Sequence, residues 1–319
     1  MTAPMLLPGS KITFADITKM KAPIFVIVNA RSGGVSEPET AKLLAEAFAD
    51  AGTEADINFA HSGAEMETLI RDALAGEADV IAAGGGDGTI SNVAAAVSEA
   101  GKVLGVLPLG TLNNFSKDLN IPQEIAEAVR VIGNGRVKVI DTAEVNGRIF
   151  LNNSSIGLYP NIVLHRERQQ RLGRGKWISA FWAALRMFRV SPFLRVDLEL
   201  KDHIFRRKTP FVFVGNNAYE MDLYNIGRRN SISAGKLSVY FLHKGGRAGV
   251  AALLLRTIFG KLRQWKDFEA VSVEELTIFS RRKKLNVAFD GEVRRMSTPL
   301  RYKTRPASLK VLVPDQDNG

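Results

Sequence analysis

Gly84-Gly85-Gly86-Asp87-Gly88-Thr89 places a carboxylate inside a glycine turn, between an apolar run at Val80–Ala83 and a helical pattern at Ile90–Glu99. Successive glycines remove each Cβ where backbone must approach something closely, and they tolerate φ > 0. The following helix directs free N–H groups, and the positive end of its dipole, into the turn. Such a turn suits phosphate. A carboxylate beside phosphate is repelled unless a cation or a donor hydroxyl lies between them, so Asp87 points to a phosphate accompanied by one or the other. The plainer alternative is a tight turn with Asp87 as a helix cap.

Two more turns carry matching chemistry. The apolar run Ile24–Val28 leads into Asn29-Ala30-Arg31-Ser32-Gly33-Gly34, where Asn29, Arg31, Ser32 and Gly33 offer donors to phosphate oxygens. A strand at Lys102–Leu107 leads into Pro108-Leu109-Gly110-Thr111-Leu112-Asn113-Asn114-Phe115, with Gly110, Thr111 and Asn113 at its tip. Glycine turns at the ends of neighbouring strands are what a parallel sheet presents along the edge where open α/β sheets bind ligands. Gly85, Gly86, Gly88, Thr89 and Asn92 complete the candidate nucleotide set. Phosphoryl transfer asks mostly for positioning and charge neutralisation, plus a carboxylate to orient the attacking hydroxyl. Asp87 and the late pair in Phe289-Asp290-Gly291-Glu292 are the candidates.

GGGDGT followed by PLGTLNNFSKDL resembles the lipid-kinase family of bacterial diacylglycerol kinases, sphingosine kinases and ceramide kinases. Val28–Gly34 is similar to that family's first phosphate loop, and Phe289-Asp290-Gly291-Glu292 to its late D-G-E element. The resemblance spans residues 23 to 313. It implies an ATP-dependent kinase acting on a lipid hydroxyl, with Mg²⁺ accompanying the nucleotide. It also implies that the D-G-E element faces the phosphate end of the site and includes the proton acceptor; Glu292 is favoured, with Asp290 supporting it and Asp87 at the phosphate or hydroxyl side. Two departures stand out. Asn114 occupies a position where many members carry Asp, and Ser233–Ser238, matching a segment that binds a structural Mg²⁺, holds no carboxylate. Hard cations need oxygen ligands, preferably charged, so no protein-held metal site is expected.

The positioning elements follow in strict alternation. Helices are expected at Pro38–Ala51, Ala64–Leu74, Ile90–Glu99 and Gln123–Ile132, and strands at Glu54–Ala60, Ala78–Ala83, Lys102–Leu107 and Arg136–Ala143. That is a doubly wound α/β domain with a parallel sheet. Gly133-Asn134-Gly135 offers residues that favour a left-handed cap. After Val145 the texture changes. Asn146-Gly147 is a hairpin signal, and β-forming segments recur at Arg148–Ile156, Leu194–Leu200, Phe211–Gly215, Leu237–Leu242, Ser272–Ser280, Leu285–Phe289 and Ser308–Val313. The second domain reads as antiparallel β. The resemblance implies a β-sandwich whose last strand returns to the first domain, with the active site in the cleft between the two. The expected divisions are a tail at 1–22, a nucleotide-binding domain at 23–143 with a return segment at 304–315, and a lipid-substrate domain at 144–303.

Composition narrows the class. There is no cysteine, which excludes disulfides, thiolate metal sites and cysteine nucleophiles, and fits a reducing cytosol. Met1–Ala22 lacks the pattern of a signal peptide, and no run reaches the roughly 18–20 apolar residues a spanning helix needs. The net charge of +10 divides unevenly: residues 1–150 hold 12 Lys/Arg against 19 Asp/Glu, a balance of −7, leaving 31 against 14, or +17, for the rest. A basic half of this kind faces nucleic acid or an anionic membrane. Arg281-Arg282-Lys283-Lys284 has no interleaved aromatic platform and reads as a solvated turn, so nucleic acid is not expected. Arg166, Arg168, Arg171, Arg174 and Lys176 precede the aromatic stretch Trp177–Phe188. That pattern suits an interfacial helix, or a helix covering the β domain. The expectation is therefore a cytoplasmic, peripherally membrane-bound lipid kinase with diacylglycerol, a sphingoid base or ceramide as acceptor. The rivals are a soluble kinase of the NAD-kinase kind, which shares GGDG, and a nucleotide- or lipid-binding regulator with weak turnover.

Overall fold

The computed structural model describes residues 23–32, 36–157, 193–200, 203–217, 232–242 and 268–315. The chain divides into two units. One runs to Ile140 and takes up the chain again from Ser308; the other spans Asp141–Ala307.

The first unit alternates β1 (Ile24–Asn29), α1 (Glu37–Asp50), β2 (Ala55–Ala60), α2 (Gly63–Ala75), β3 (Val80–Gly85), α3 (Asp87–Ala100), β4 (Val103–Pro108), the short α4 (Asn114–Asp118) and α5 (Ile125–Asn134). Its sheet runs β2-β1-β3-β4, all parallel. The last strand, β16 (Leu300–Val313), adds to β4 in parallel through Lys310 opposite Val103 and Val311 opposite Leu104. Strands covered on both faces must be apolar throughout, and Val26, Ile27, Val28, Ile81, Ala82, Leu104 and Leu107 are all buried. Each fully buried aliphatic side chain of this size contributes roughly 1.5–3 kcal/mol. Helix α3 buries Ile90, Val93, Ala94 and Val97, the i, i+3, i+4, i+7 stripe of a core-facing helix. It ends at Gly101 in a left-handed cap. The order places β2 on one side of β1 and β3 on the other. The chain therefore switches direction between β1 and β3, and the carboxyl ends of those strands flank the point where such sheets bind ligands.

The second unit is antiparallel. One of its sheets runs β12 (Phe268–Val273), β11 (Leu237–Leu242), β10 (Phe211–Asn216), β7 (Asn153–Gly157), β14 (Lys284–Phe289), β15 (Glu292–Ser297). Against it stand β8 (Leu194–Leu200), β9 (His203–Thr209), β13 (Glu275–Ser280) and the first part of β16, with the hairpin of β5 (Arg136–Val145) and β6 (Arg148–Phe150). Side chains of both sheets, among them Phe150, Leu198, Val214, Phe241, Ile278, Val287 and Tyr302, share one buried cluster, which makes this unit a sandwich.

Several local expectations change. Helix α3 begins at Asp87, not Ile90, so Asp87, Gly88 and Thr89 form its first turn. Gly135 caps α5 in an extended conformation, φ −77°, rather than left-handed. Glycine is required there because a Cβ would lie 2.6 Å from the Val313 carbonyl. The segment read as Arg148–Ile156 is two strands, β6 and β7, and that read as Ser272–Ser280 is β12 and β13, parted at Glu274. Strands β9 and β15 were not anticipated: consecutive charges, Arg206-Arg207-Lys208 and Arg294-Arg295, mask the two-residue period of a strand. The stretch read as a helix at Trp177–Phe188, and the tail at 1–22, lie outside the described residues.

Candidate active site

The three turns of the first unit converge at the switch point. Asn29, the last residue of β1, donates through Nδ2 to Thr89 Oγ1 at 3.1 Å and accepts through Oδ1 from the Arg31 backbone N–H at 3.0 Å. Asp87 faces the other way. Its Oδ2 accepts from the Asn114 backbone N–H at 3.2 Å and its Oδ1 from Phe115 at 3.1 Å. Asp87 therefore does cap a helix, but α4 rather than its own. Its carboxylate ties the β3 turn to the β4 turn while remaining half-buried. Asn114 is exposed and contributes its backbone here.

The glycines serve close approach, and none of Gly84, Gly85 and Gly86 uses a left-handed conformation. A Cβ on Gly110 would sit 2.4 Å from Gly86 Cα, so the β3 and β4 turns touch backbone to backbone. A Cβ on Gly85 would lie 2.6 Å from Thr89 Cβ, within its own turn, and one on Gly84 would press on Val28 and Leu109. Glycine at 84 and 85 is thus fixed by protein neighbours. Gly86, cap of α3, meets nothing closer than 3.6 Å and has no side chain to satisfy the helix's first N–H groups. An uncapped helix start beside glycine backbone is a place for anionic oxygens.

Asn113 holds the β4 turn from beneath. At 6% exposure and φ 51° it donates through Nδ2 to the Pro108 carbonyl and to Gln123 Oε1, both at 3.1 Å. Its side chain is turned into the protein. Thr111 and Leu112 stand exposed at the tip, and Asn92 is exposed on the second turn of α3. Ser32 is half-buried, Arg31 exposed, and Gly33 lies outside the described residues. A histidine that the motifs did not single out closes this edge: His61, following β2, faces Glu37 Oε2 with Nε2 at 2.8 Å and Glu65 Oε2 with Nδ1 at 3.0 Å. Both ring nitrogens meet carboxylates, and the Glu65 and Glu37 bonds raise its pKa above the ordinary value.

The late acidic pair belongs to the second unit, and its members differ. Asp290, 5% exposed with φ 45°, accepts from the backbone N–H groups of Leu151 (2.6 Å), Asn152 (2.8 Å) and Asn153 (3.2 Å). Three such donors fix the carboxylate in place. It is a bracket between the β6–β7 link and the β14–β15 turn, which makes it a positioning group. Glu292 opens β15 with its carboxylate exposed, 3.4 Å from the Arg294 guanidinium. Of the two, Glu292 is the carboxylate open to solvent.

A buried polar network escaped sequence reading. Asp141, 4% exposed, accepts from the Gly235 N–H at 2.6 Å and the Ala307 N–H at 2.9 Å. Asn216 donates to the carbonyls of Asp141 (3.0 Å) and Leu151 (2.9 Å), and Asn217 Oδ1 accepts from the Ala234 N–H at 3.1 Å. The Ser233–Ser238 segment is thus held by a carboxylate and an amide. Among the described residues no cluster of three or more His, Cys, Asp or Glu is arranged to ligate a metal. The signal for Asp141 was available: a carboxylate directly after the apolar residues Val139 and Ile140 of a strand.

Residues 23–145 match the diacylglycerol kinase catalytic domain family. A probable YegS-like lipid kinase of Klebsiella pneumoniae is 31% identical over 170 residues, 52% of this chain and 56% of that protein. A second protein of that description, from Pseudomonas syringae, is 34% identical over 108 residues, 33% of this chain and 35% of that protein. The matched stretches span about half or less of these relatives' own length. In fold, the chain is similar to a putative diacylglycerol kinase from Bacillus anthracis, with a TM-score of 0.72 at 24% identity over 92% of this chain and 98% of that one.

Proposed function

We propose, from the match of residues 23–145 to the diacylglycerol kinase catalytic domain family, that this protein transfers the γ-phosphate of ATP to the hydroxyl of a lipid alcohol, diacylglycerol before a sphingoid base or ceramide. The observation that carries the reading is the joined cradle: Asn29 bonded to Thr89, Asp87 bonded to the β4 turn, and Gly86 against Gly110 at the uncapped start of α3. The α3 N–H groups and the Gly86 and Gly110 backbone bind the phosphate oxygens, while Thr111 and Arg31 stand exposed beside them. Mg²⁺ arriving with the nucleotide supplies positive charge, and the half-buried carboxylate of Asp87 is the group of this cradle able to face it. Glu292 accepts the lipid hydroxyl proton, its strand start held by the Asp290 bracket. Action at a membrane surface, in the cytoplasm, follows from the acceptor's chemistry and the basic second half of the chain.

The test is incubation with radiolabelled ATP and a panel of lipid alcohols in mixed micelles, with NAD as a soluble acceptor. Label entering the organic phase with one lipid supports the reading. Label confined to NAD, or to free phosphate, overturns it.

A further inference from the structure

Strand β15 is the edge of its sheet, and its outer surroundings are cationic. Arg148, Arg294 and Arg295, with Asn146, Met296 and Ser297, line an open recess of about 670 Å³. A second recess of about 280 Å³ shares Arg295 and adds Arg282 and Lys284. Ladder pairing sets Asn286 opposite Arg295 and Lys284 opposite Ser297, so Lys284 and Arg295 stand on one face of the β14–β15 hairpin. The platform is fixed. Asn146 donates to the Ser297 carbonyl at 3.1 Å and accepts from the Arg301 N–H at 2.7 Å, pinning the turn that carries Arg148 to the end of β15. Arg294 pairs with Glu292, but among the described residues no carboxylate pairs with Arg148, Arg295, Arg282 or Lys284. Uncompensated arginines on a rigid edge suit phosphate oxyanions, which guanidinium binds with a two-pronged fit.

We propose that this edge, centred on Arg148 and Arg295, is a docking site for the phosphate headgroups of an anionic membrane. The proposal rests on the lipid-kinase reading for its choice of partner. A membrane is favoured over nucleic acid because these arginines have no aromatic side chains between them on which bases could stack. The surface adjoins Glu292, the first residue of β15, so headgroup docking brings the proton-accepting strand to the lipid.

The experiment is flotation of the full chain with vesicles of neutral phosphatidylcholine, with and without anionic phosphatidylglycerol, for wild type and Arg148→Glu/Arg295→Glu. Two cations lost near an anionic surface weaken binding by about tenfold or more. The expected result is such a loss for anionic vesicles, unchanged ATP binding and melting temperature, and recovery in Arg148→Lys/Arg295→Lys. Inorganic phosphate at equal ionic strength is not expected to compete; full competition by it assigns the site to free phosphate. Arg195→Glu/Lys208→Glu makes the same charge change elsewhere in the unit and is expected to bind nearly as wild type; an equal loss there shows net charge alone and overturns the site. Unchanged vesicle binding in the Arg148/Arg295 variant, or tighter capture of a single-stranded oligonucleotide through the same residues, also overturns it. If the Glu variant fails to fold, Arg148→Gln/Arg295→Gln serves instead, with the same loss expected. Phosphorylation of a short-chain, water-soluble lipid alcohol is read in parallel. Its persistence in a variant that no longer binds vesicles leaves the kinase reading standing, and its absence from wild type sinks that reading whatever the vesicles show.

Discussion

Asn29 Nδ2 donates to Thr89 Oγ1 at 3.1 Å, joining the end of the first strand to the first turn of α3 across sixty residues of sequence. That bond makes the two turns one object. Thr89→Val removes the acceptor and keeps the shape. A net hydrogen bond of this kind is worth about 0.5–1.5 kcal/mol, so a small drop in stability is expected together with a several-fold weaker affinity for ATP. Thr89→Ser is expected to retain both. Calorimetric titration with ATP, alongside thermal melts, checks the pair.

Asp87 is both a bracket and a charge. Asp87→Asn keeps one acceptor oxygen and loses the anion, so one of the bonds from Asn114 and Phe115 weakens, at about 1–2 kcal/mol. Phosphate transfer is expected to fall below detection in a folded protein. Turnover near that of wild type removes Asp87 from the mechanism.

Asp290 and Glu292 separate cleanly. Asp290→Asn turns an amide N–H₂ toward backbone N–H donors in a buried site, and a loss of roughly 2–4 kcal/mol is expected. Glu292→Gln, on an exposed side chain, is expected to leave the melting temperature unchanged while kcat collapses and ATP affinity holds. Melts and steady-state kinetics on the two variants read the contrast. A stable Asp290→Asn, or a fully active Glu292→Gln, contradicts the assigned roles.

The turns that carry Asn29, Asp87 and Gly110 at strand ends were legible because each motif is short and its residue types act locally. The reasons for particular glycines were not. Gly85 is fixed by Thr89 and Gly110 by Gly86 Cα, and only the fold shows which neighbours press on a missing Cβ. Asp290 reads in sequence as half of an acidic pair, yet its oxygens are spent on Leu151, Asn152 and Asn153, far away in the chain. Asp141 works the same way on Gly235 and Ala307. The parallel strands were readable from apolar runs such as Ile24–Val28, whereas β15, with Arg294 and Arg295 on a sheet edge, carries too much charge to announce itself. Its arginines also blunt an otherwise open edge.

His61 gives a pH signature. Bonds to Glu65 and then Glu37 raise its folded-state pKa above the unfolded value near 6.5. Stability from this contact is therefore fully present below that unfolded value and is lost as pH rises through the folded pKa. Glu65, lowered by the His61 N–H and ring bonds, contributes above its unfolded value near 4.5 and loses that contribution as pH falls through its folded pKa. The contact is thus strongest in mildly acidic solution. A nuclear magnetic resonance titration of the His61 ring proton is expected to show a raised midpoint that moves down in Glu65→Gln. An identical midpoint in both contradicts the pairing.

Gly110→Ala tests the touching turns. The added Cβ meets Gly86 Cα and Asn113 Oδ1, and overpacking of this kind costs about 1–3 kcal/mol. Lower stability with weaker ATP binding is expected, and unchanged ATP affinity in the folded fraction places the phosphates elsewhere.

Backbone amide shifts of ¹⁵N-labelled protein, followed through a titration with Mg-ATP, test most directly whether the three joined turns hold the nucleotide. The expected result is a saturable set of changes, complete at the millimolar nucleotide levels typical of kinases, largest at Gly86, Gly88, Thr89, Gly110 and Thr111 and small along β2 and α2. No saturable change, or changes centred away from the ends of β1, β3 and β4, would contradict the phosphate cradle and the kinase assignment built upon it.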